Sequence, residues 1–187
     1  MDDRALRIAV LLAAHIIFLS AGALRIVRGQ RNHLVESQAP WYLQYYPPLV
    51  WIPFVVAYFF PVAIDLPMAL RLAGLAIAVA SALFAAWAMW SLGKSYGIRM
   101  DLFEGHRLIT GGPYRITRHP MYLGIVSFHV GATIAMESLA LLVITVAYVI
   151  PFTAMRIRAE DRVLAAGFGD EFRTFAGRVP ALVPFTR

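Results

Sequence analysis

No cysteine occurs among the 187 residues, which excludes both a disulfide framework and a thiolate zinc site. Charge is scarce as well. Asp, Glu, Lys and Arg make up only 15% of the chain, and the 11 acidic residues are outnumbered by 17 basic ones, for a formal net charge of +6. A surface so poor in charge does not suit a soluble domain. Internal repeats and low-complexity tracts are also missing, which argues against a solenoid. The N-terminus begins Met1-Asp2-Asp3, a poor basic start for a secretory signal, and no small-residue cleavage site follows in a convincing place. The first apolar run is therefore expected to stay in the protein as a helix. What fills the chain is apolar: 60% of residues are hydrophobic and the mean hydropathy is +0.66.

The apolar residues are clustered into runs at 6–27, 47–64, 70–92, 121–136 and 139–155. A run of about 20 apolar residues crosses a hydrocarbon core of about 30 Å. The first three runs are long enough. The last two are short and separated only by Glu137-Ser138, so a helical hairpin is predicted there, tilted or sheltered by other helices. The expected fold is all-α: a polytopic integral membrane protein of about five transmembrane helices. Residues 1–92 would form three N-terminal transmembrane helices, 93–120 a cytosolic loop, 121–155 the hairpin and 156–187 a cytosolic helical tail. In the third run Gly74, Ala76, Ala78, Ala80, Ser81, Ala82, Ala85, Ala86 and Ala88 make the segment small-sided, as in a helix packed closely against others.

Five crossings place 14 basic residues on one side: Arg25, Arg28, Arg31, Lys94, Arg99, Arg107, Arg115, Arg118, Arg156, Arg158, Arg162, Arg173, Arg178 and Arg187. Only Arg4, Arg7 and Arg71 lie on the other. This positive-inside bias sets the N-terminus outside and the tail in the cytosol. The membrane would be the inner or plasma membrane of a prokaryote, or the endoplasmic reticulum of a eukaryote. Most of the arginines need no further explanation than topology and attraction to anionic head groups. Trp41, Tyr42, Tyr45 and Tyr46, in the connector at 29–46, read as an interfacial aromatic belt.

One stretch is more particular. "GGPYRITRHPMYLG", residues 111–124, places Arg115, Arg118 and His119 between a Gly-Gly-Pro turn and the fourth apolar run. Pro120 suits the first turn of a helix, where its missing N–H is no loss, so Arg118 and His119 fall at a helix N-terminus on the cytosolic side. Gly111, Gly112 and Gly124 would let backbone approach a ligand closely. The residue types fit an interfacial anchor set and a ligand site equally well. In the tail, Arg156 and Glu160 share a helix face at i and i+4, an ordinary helical ion pair when taken alone. Asp161 is expected to point elsewhere, into solvent. Phe168-Gly169 reads as the stop of that helix, with a second short helix over 170–176.

"HRLITGGPYRITRHPMYLG", followed after the hairpin by "RIRAEDRVLAAGFGDEFRTFAGRVPALVP", resembles the isoprenylcysteine carboxyl methyltransferases and the related membrane phospholipid methyltransferases. That pattern has a Gly-x-Tyr turn, Arg-His-Pro-x-Tyr-x-Gly, a Glu-Glu pair, Phe-Gly-x-x-Tyr and a Val-Pro ending. The resemblance spans residues 93–184. It departs in Glu160-Asp161, which replaces the Glu-Glu pair, and in Phe172 and Phe175, which stand where tyrosines are usual.

The resemblance implies S-adenosylmethionine as cofactor and S-adenosylhomocysteine as product. Implied cofactor contacts are His106, Arg107, Leu108, Ile109, Tyr114, His119, Pro120, Met121, Tyr122 and Glu160. Arg156 falls where an arginine engages the substrate carboxylate, so Arg156 and Glu160 are the implied catalytic pair. The reaction it implies is in-line methyl transfer, with the nucleophile held about 3–3.5 Å from the methyl carbon. A carboxylate nucleophile is ionised at neutral pH and needs no general base. That agrees with a sequence showing no obvious Asp/His dyad or metal cluster. Carboxyl O-methylation of an isoprenylcysteine-like or other hydrophobic acid, entering from the lipid bilayer, is the first expectation. N-methylation of an amino phospholipid is the nearest alternative, and a non-enzymatic scaffold or transporter subunit is the alternative of another class. Neither a metal nor a nucleic acid is an expected partner.

Overall fold

The structure, a computed structural model, describes residues 3–28, 34–36, 41–44, 51–59, 62–95, 102–103 and 106–183. Helix α1 (Asp3–Arg28) is followed by a short strand β1 (Leu34–Glu36), α2 (Trp41–Gln44) and α3 (Ile52–Phe59). The long α4 (Met68–Leu92) leads into a loop carrying β2 (Leu102–Phe103) and a 3-10 turn at Gly112–Arg115. Then come α5 (Pro120–Met136), α6 (Leu139–Ile144), a π-helical turn (Thr145–Val149), α7 (Ile150–Phe168) and α8 (Asp170–Ala176). Among the described residues three helices are long and apolar enough to cross a membrane: α1, α4 and the continuous Leu139–Phe168, with α5 a shorter apolar helix. The protein is integral to the membrane and helical. Among the described residues the departures from all-α are a minute antiparallel ladder, in which Leu34 pairs with Phe103 and Glu36 with Leu102, and an isolated bridge between Ala63 and Ser138. The run at 47–64 contains α3, while 47–50 and 60–61 lie outside the described residues, as do Tyr45, Tyr46, Arg31, Arg99 and Arg187.

α5 is the central helix, with eleven of its seventeen residues buried. Its main partner is α4, and glycines set how closely the two approach. A Cβ on Gly131 would lie 2.6 Å from the Ala78 nitrogen, one on Gly74 2.7 Å from the Gly131 oxygen, and one on Gly124 2.7 Å from the Ala85 Cβ. In lipid, apolar burial does little to drive helices together, so close backbone packing along small residues takes over. Gly124 therefore serves helix packing and not the approach of a ligand, which corrects the expectation from its place in the motif.

At the C-terminal end of α5 the chain turns in two residues. Glu137 adopts a left-handed conformation (φ 54°), and the Ser138 side chain caps α6 by accepting from the Leu141 N–H at 3.2 Å. The Glu137 carboxylate accepts from Arg7 at 3.1 Å and from the Leu66 N–H at 3.1 Å, and Arg71 lies 3.5 Å from it. Arg7 also donates to the Ala135 carbonyl and pairs with Asp3 at 3.2 Å. Two of the three arginines expected on the external side are thus tied into an ion cluster joining α1, α4 and α5.

Pro151 does not interrupt the helix. The π turn just before it shifts the hydrogen-bond ladder, with the Ile150 N–H reaching the Thr145 carbonyl, and this accommodates the missing donor. The helix runs unbroken through Met155 and Arg156. At about 1.5 Å per residue its 30 residues extend some 45 Å, so its C-terminal third overshoots a hydrocarbon core of about 30 Å.

The α4–α5 contact generates a stability prediction. Gly131→Ala should overpack it by about 1–3 kcal/mol, lowering the thermal midpoint in detergent by several degrees. Gly111→Ala, at a position where a Cβ meets nothing within 4 Å, should leave that midpoint unchanged.

Candidate active site

The polar residues at the other end of α5 come together. α5 is about 25 Å long, so this cluster and the Glu137 cluster lie at opposite ends of the bundle. Pro120 occupies the first turn of α5 with His119 as N-cap, as the motif predicts. Ahead of it, Thr117, Arg118 and His119 clasp the C-terminal segment. The Arg118 N–H donates to the Pro180 carbonyl at 2.9 Å and the His119 N–H to the Ala181 carbonyl at 3.2 Å. The Thr117 hydroxyl donates to the Ala181 carbonyl at 2.8 Å. The Arg118 guanidinium donates to the carbonyls of Ala176 at 3.0 Å and Val179 at 2.6 Å, and it lies 5.9 Å from the centre of the Phe172 ring.

α7 brings the carboxylates. Asp161 accepts from Arg118 Nη2 and from His119 Nε2, each at 2.8 Å, while Glu160 Oε2 lies 4.0 Å from His119 Nδ1. Consecutive residues on a helix point about 100° apart, and the buried His119 ring sits in the angle between the two. Asp161 therefore does not point into solvent, and His119 with Asp161 forms the Asp/His pair that the sequence did not show. A carboxylate only accepts, so Nε2 carries a proton and Nδ1 is turned toward Glu160. Their sequence separation of 42 residues hid the pair. The signal was the position itself, the second acidic residue of the motif.

Tyr122 lies one turn into α5, its ring centroid 5.8 Å from that of His119. Its hydroxyl accepts from Arg156 Nε and is within hydrogen-bond reach of Glu160. Arg156 is 2% exposed, and Nη1 donates to the Leu43 carbonyl of α2. Leu43 packs on Ala159 and Phe152 of α7. α2 is a component the sequence reading missed, since its aromatic neighbours were taken as an interfacial belt and nothing marked Leu43. Glu160 Oε2 is buried with no hydrogen-bond partner among the described residues. His106 approaches from the loop, its ring 5.8 Å from Phe168. Burial pushes its imidazole below the ordinary range, with the Glu160 carboxylate pulling the other way.

An apolar wall adjoins these groups. Tyr114, Ala88, Phe172 and Phe175 are its buried core, with Leu108, Ile109, Met121 and Phe168 packed against it. Of the residues implied as cofactor contacts, His106, His119, Tyr122 and Glu160 gather in the polar cluster, and Leu108, Ile109, Tyr114 and Met121 in the wall. Pro120 is buried between them in sequence as the start of α5. Arg107 differs: its side chain is exposed, and its backbone N–H and C=O are the parts engaged, each 3.3 Å from the Ser95 hydroxyl. Among the described residues no group of three or more His, Cys, Asp or Glu is placed to hold a metal.

Fold and site define a class: a helical membrane protein with an acidic, arginine-lined cluster at one end of its bundle. Residues 73–166 match the isoprenylcysteine carboxyl methyltransferase (ICMT) family, and the chain belongs to that family. The matched region runs from α4 to most of α7 and so contains His119, Tyr122, Arg156, Glu160 and Asp161. The chain is 32% identical over 114 residues to protein-S-isoprenylcysteine O-methyltransferase B of Arabidopsis thaliana, covering 60% of this chain and 58% of that protein. It is 39% identical over 82 residues to the cobalt-zinc-cadmium resistance protein CzcN of Cupriavidus metallidurans, covering 43% and 37%. It shares the fold of the eukaryotic intramembrane Ras methyltransferase ICMT, with a TM-score of 0.57 at 24% identity, over 81% of this chain and 55% of that one. The chain spans about half the length of the curated relatives it matches.

Asp161→Ala would strand Arg118 and His119 together. Because the carboxylate is partly exposed, the loss should be about 1.5–3 kcal/mol, read as a lower thermal midpoint and faster proteolysis after Arg178. Asp161→Glu should recover most of it.

Proposed function

We propose that this chain is an S-adenosylmethionine-dependent methyltransferase working at the membrane, and that it O-methylates the carboxylate of an isoprenylcysteine-like or other hydrophobic acid. The observation that carries the reading is the convergence of His119 and Glu160, 41 positions apart in sequence, to 4.0 Å beside Tyr122 and Arg156. Family membership supports the class of chemistry, and relatives named protein-S-isoprenylcysteine O-methyltransferase support the acceptor.

The residues present fit the cofactor. Glu160 Oε2, buried and without a hydrogen-bond partner among the described residues, suits an ammonium or hydroxyl donor, and its charge favours a cation. Tyr114, Leu108, Ile109 and Met121 offer an apolar wall to a flat heterocycle. When bound, S-adenosylmethionine supplies a methyl group activated by a positive sulfur. The Arg156 guanidinium orients the acceptor carboxylate by parallel hydrogen bonds, with Nε already fixed by Tyr122. Asp161 holds His119 and, through Arg118, the C-terminal segment that borders the site. No residue has to take a proton from a carboxylate acceptor, so the His119–Asp161 pair serves to position.

The site is assigned to the cytosolic face, with the N-terminus outside, supported by the bias of 14 basic residues to 3 and by the separation of the two polar clusters along α5. The loop at 93–120 and the tail from 156 build the cofactor pocket, and the helices between and before them carry the membrane anchor and the acceptor's path. A cationic amino lipid suits the arginine-lined cluster less well than an acid does, and a scaffold would not need the converged motifs.

Calorimetry with S-adenosylhomocysteine in detergent tests the class. The protein should bind it, and absence of binding would sink the reading. Glu160→Ala should weaken that binding by at least about 10-fold, the worth of one charged hydrogen bond; unchanged affinity removes Glu160 from the pocket. Arg156→Lys, which keeps the charge but not the fork, should leave donor affinity within about twofold. It should slow methylation of N-acetyl-S-farnesylcysteine by ~100-fold. Normal turnover would exclude Arg156 from acceptor binding.

A further inference from the structure

Arg156 is buried to 2% exposure, so an acceptor carboxylate reaches it only if something moves aside. The covers differ in length and in how they pack. α4 and α5 are locked by backbone-to-backbone contacts at Gly74, Gly124 and Gly131. Tyr122 is 2% exposed within α5, and α7 carries Arg156 itself. α2 is four residues long. A helix so short has nearly all its carbonyls without intrahelical partners, and one of these, at Leu43, accepts from Arg156 Nη1. The Leu43 side chain, 3% exposed, is also set against the core, beside Ala159 and Phe152.

Leu43 presents two chemistries side by side. Its carbonyl oxygen sits on a guanidinium donor, and its branched aliphatic side chain fills an apolar niche within one turn of that guanidinium, at positions i−4 and i+3 from Arg156 along α7. An acid with a branched hydrocarbon close to its carboxylate has the same two parts in the same order. The geometry points to Leu43 as a plug that occupies the acceptor site in the resting protein. The acceptor's carboxylate displaces the Leu43 carbonyl from Arg156 Nη1, and its first aliphatic unit takes the niche between Phe152 and Ala159. This inference rests on the carboxyl-methyltransferase reading of Arg156 and adds where the acceptor binds and what it displaces. A carboxylate replaces a carbonyl at a guanidinium with a stronger, charge-assisted bond, which drives the exchange. A neutral ester product loses that advantage, and Leu43 returns.

The chain has no cysteine, so introduced thiols are the only ones. In Leu43→Cys, maleimide labelling in detergent should be slow without ligand. It should speed up by about fivefold or more with N-acetyl-S-farnesylcysteine, as the open population rises, and not with the methyl ester of that compound. Labelling that is unchanged or slowed by the acid overturns the plug. In Leu43→Cys/Ala159→Cys, oxidation should abolish turnover of the same acid, dithiothreitol should restore it, and S-adenosylhomocysteine affinity should stay the same in both states. Full turnover in the cross-linked protein also overturns it. If wild-type protein binds no S-adenosylhomocysteine, the methyltransferase reading fails, whereas the labelling result still decides whether an acid displaces Leu43.

Discussion

The Asp161 carboxylate sits where three pieces of chain meet, and the geometry of the site follows from it. It accepts from His119 and Arg118, 42 and 43 positions upstream, and Arg118 in turn binds the carbonyls of Ala176 and Val179. A carboxylate accepting from both an arginine and a histidine makes bonds roughly twice as strong as neutral ones. At the end of the bundle, partly screened from water, that strength fixes the start of α5 against α7. Glu160, the next residue back, is thereby aimed at the other nitrogen of the same ring. The C-terminal segment is held in place by the same contacts.

This arrangement needs a rigid frame, which the small residues of α4 and α5 provide. Their backbones approach at Gly74, Gly124 and Gly131, too closely for any Cβ, so α5 cannot slide or rotate without a clash. One of its ends is fastened by Glu137 to Arg7 and Arg71, and the other by His119 to Asp161. Between them lies a length close to that of a hydrocarbon core. Between the two fastened ends the packing is mostly apolar, and the buried His129 and Thr133 bond to carbonyls of α5 itself, an arrangement a bilayer tolerates because unpaired polar atoms are costly at its centre.

Against this frame α2 stands out as a four-residue element laid over Arg156. Short elements that cover buried charge are where a protein opens with the least disruption. The Leu43 carbonyl on Arg156 ties a connector of otherwise unremarkable composition to the residue proposed to receive the acceptor. Leu43 lies outside the matched family region, and no motif marks it.

Composition and periodicity by themselves determined the helical membrane class, the long apolar segments, the tight packing surface of α4, the Pro120 start of α5 and the Gly169 stop of α7. Each follows from local chemistry: apolar length against bilayer thickness, small side chains, a missing N–H, a positive φ. The motif spacing also marked His119, Tyr122, Arg156 and Glu160. The partners were decided only by tertiary structure. Asp161 reads as solvated on a helical wheel because a wheel does not show what packs beside it. Gly124 reads as a ligand approach until α4 is found against it. Leu43 is indistinguishable in sequence from any other leucine, and its carbonyl acquires a role only because the fold carries Arg156 to it.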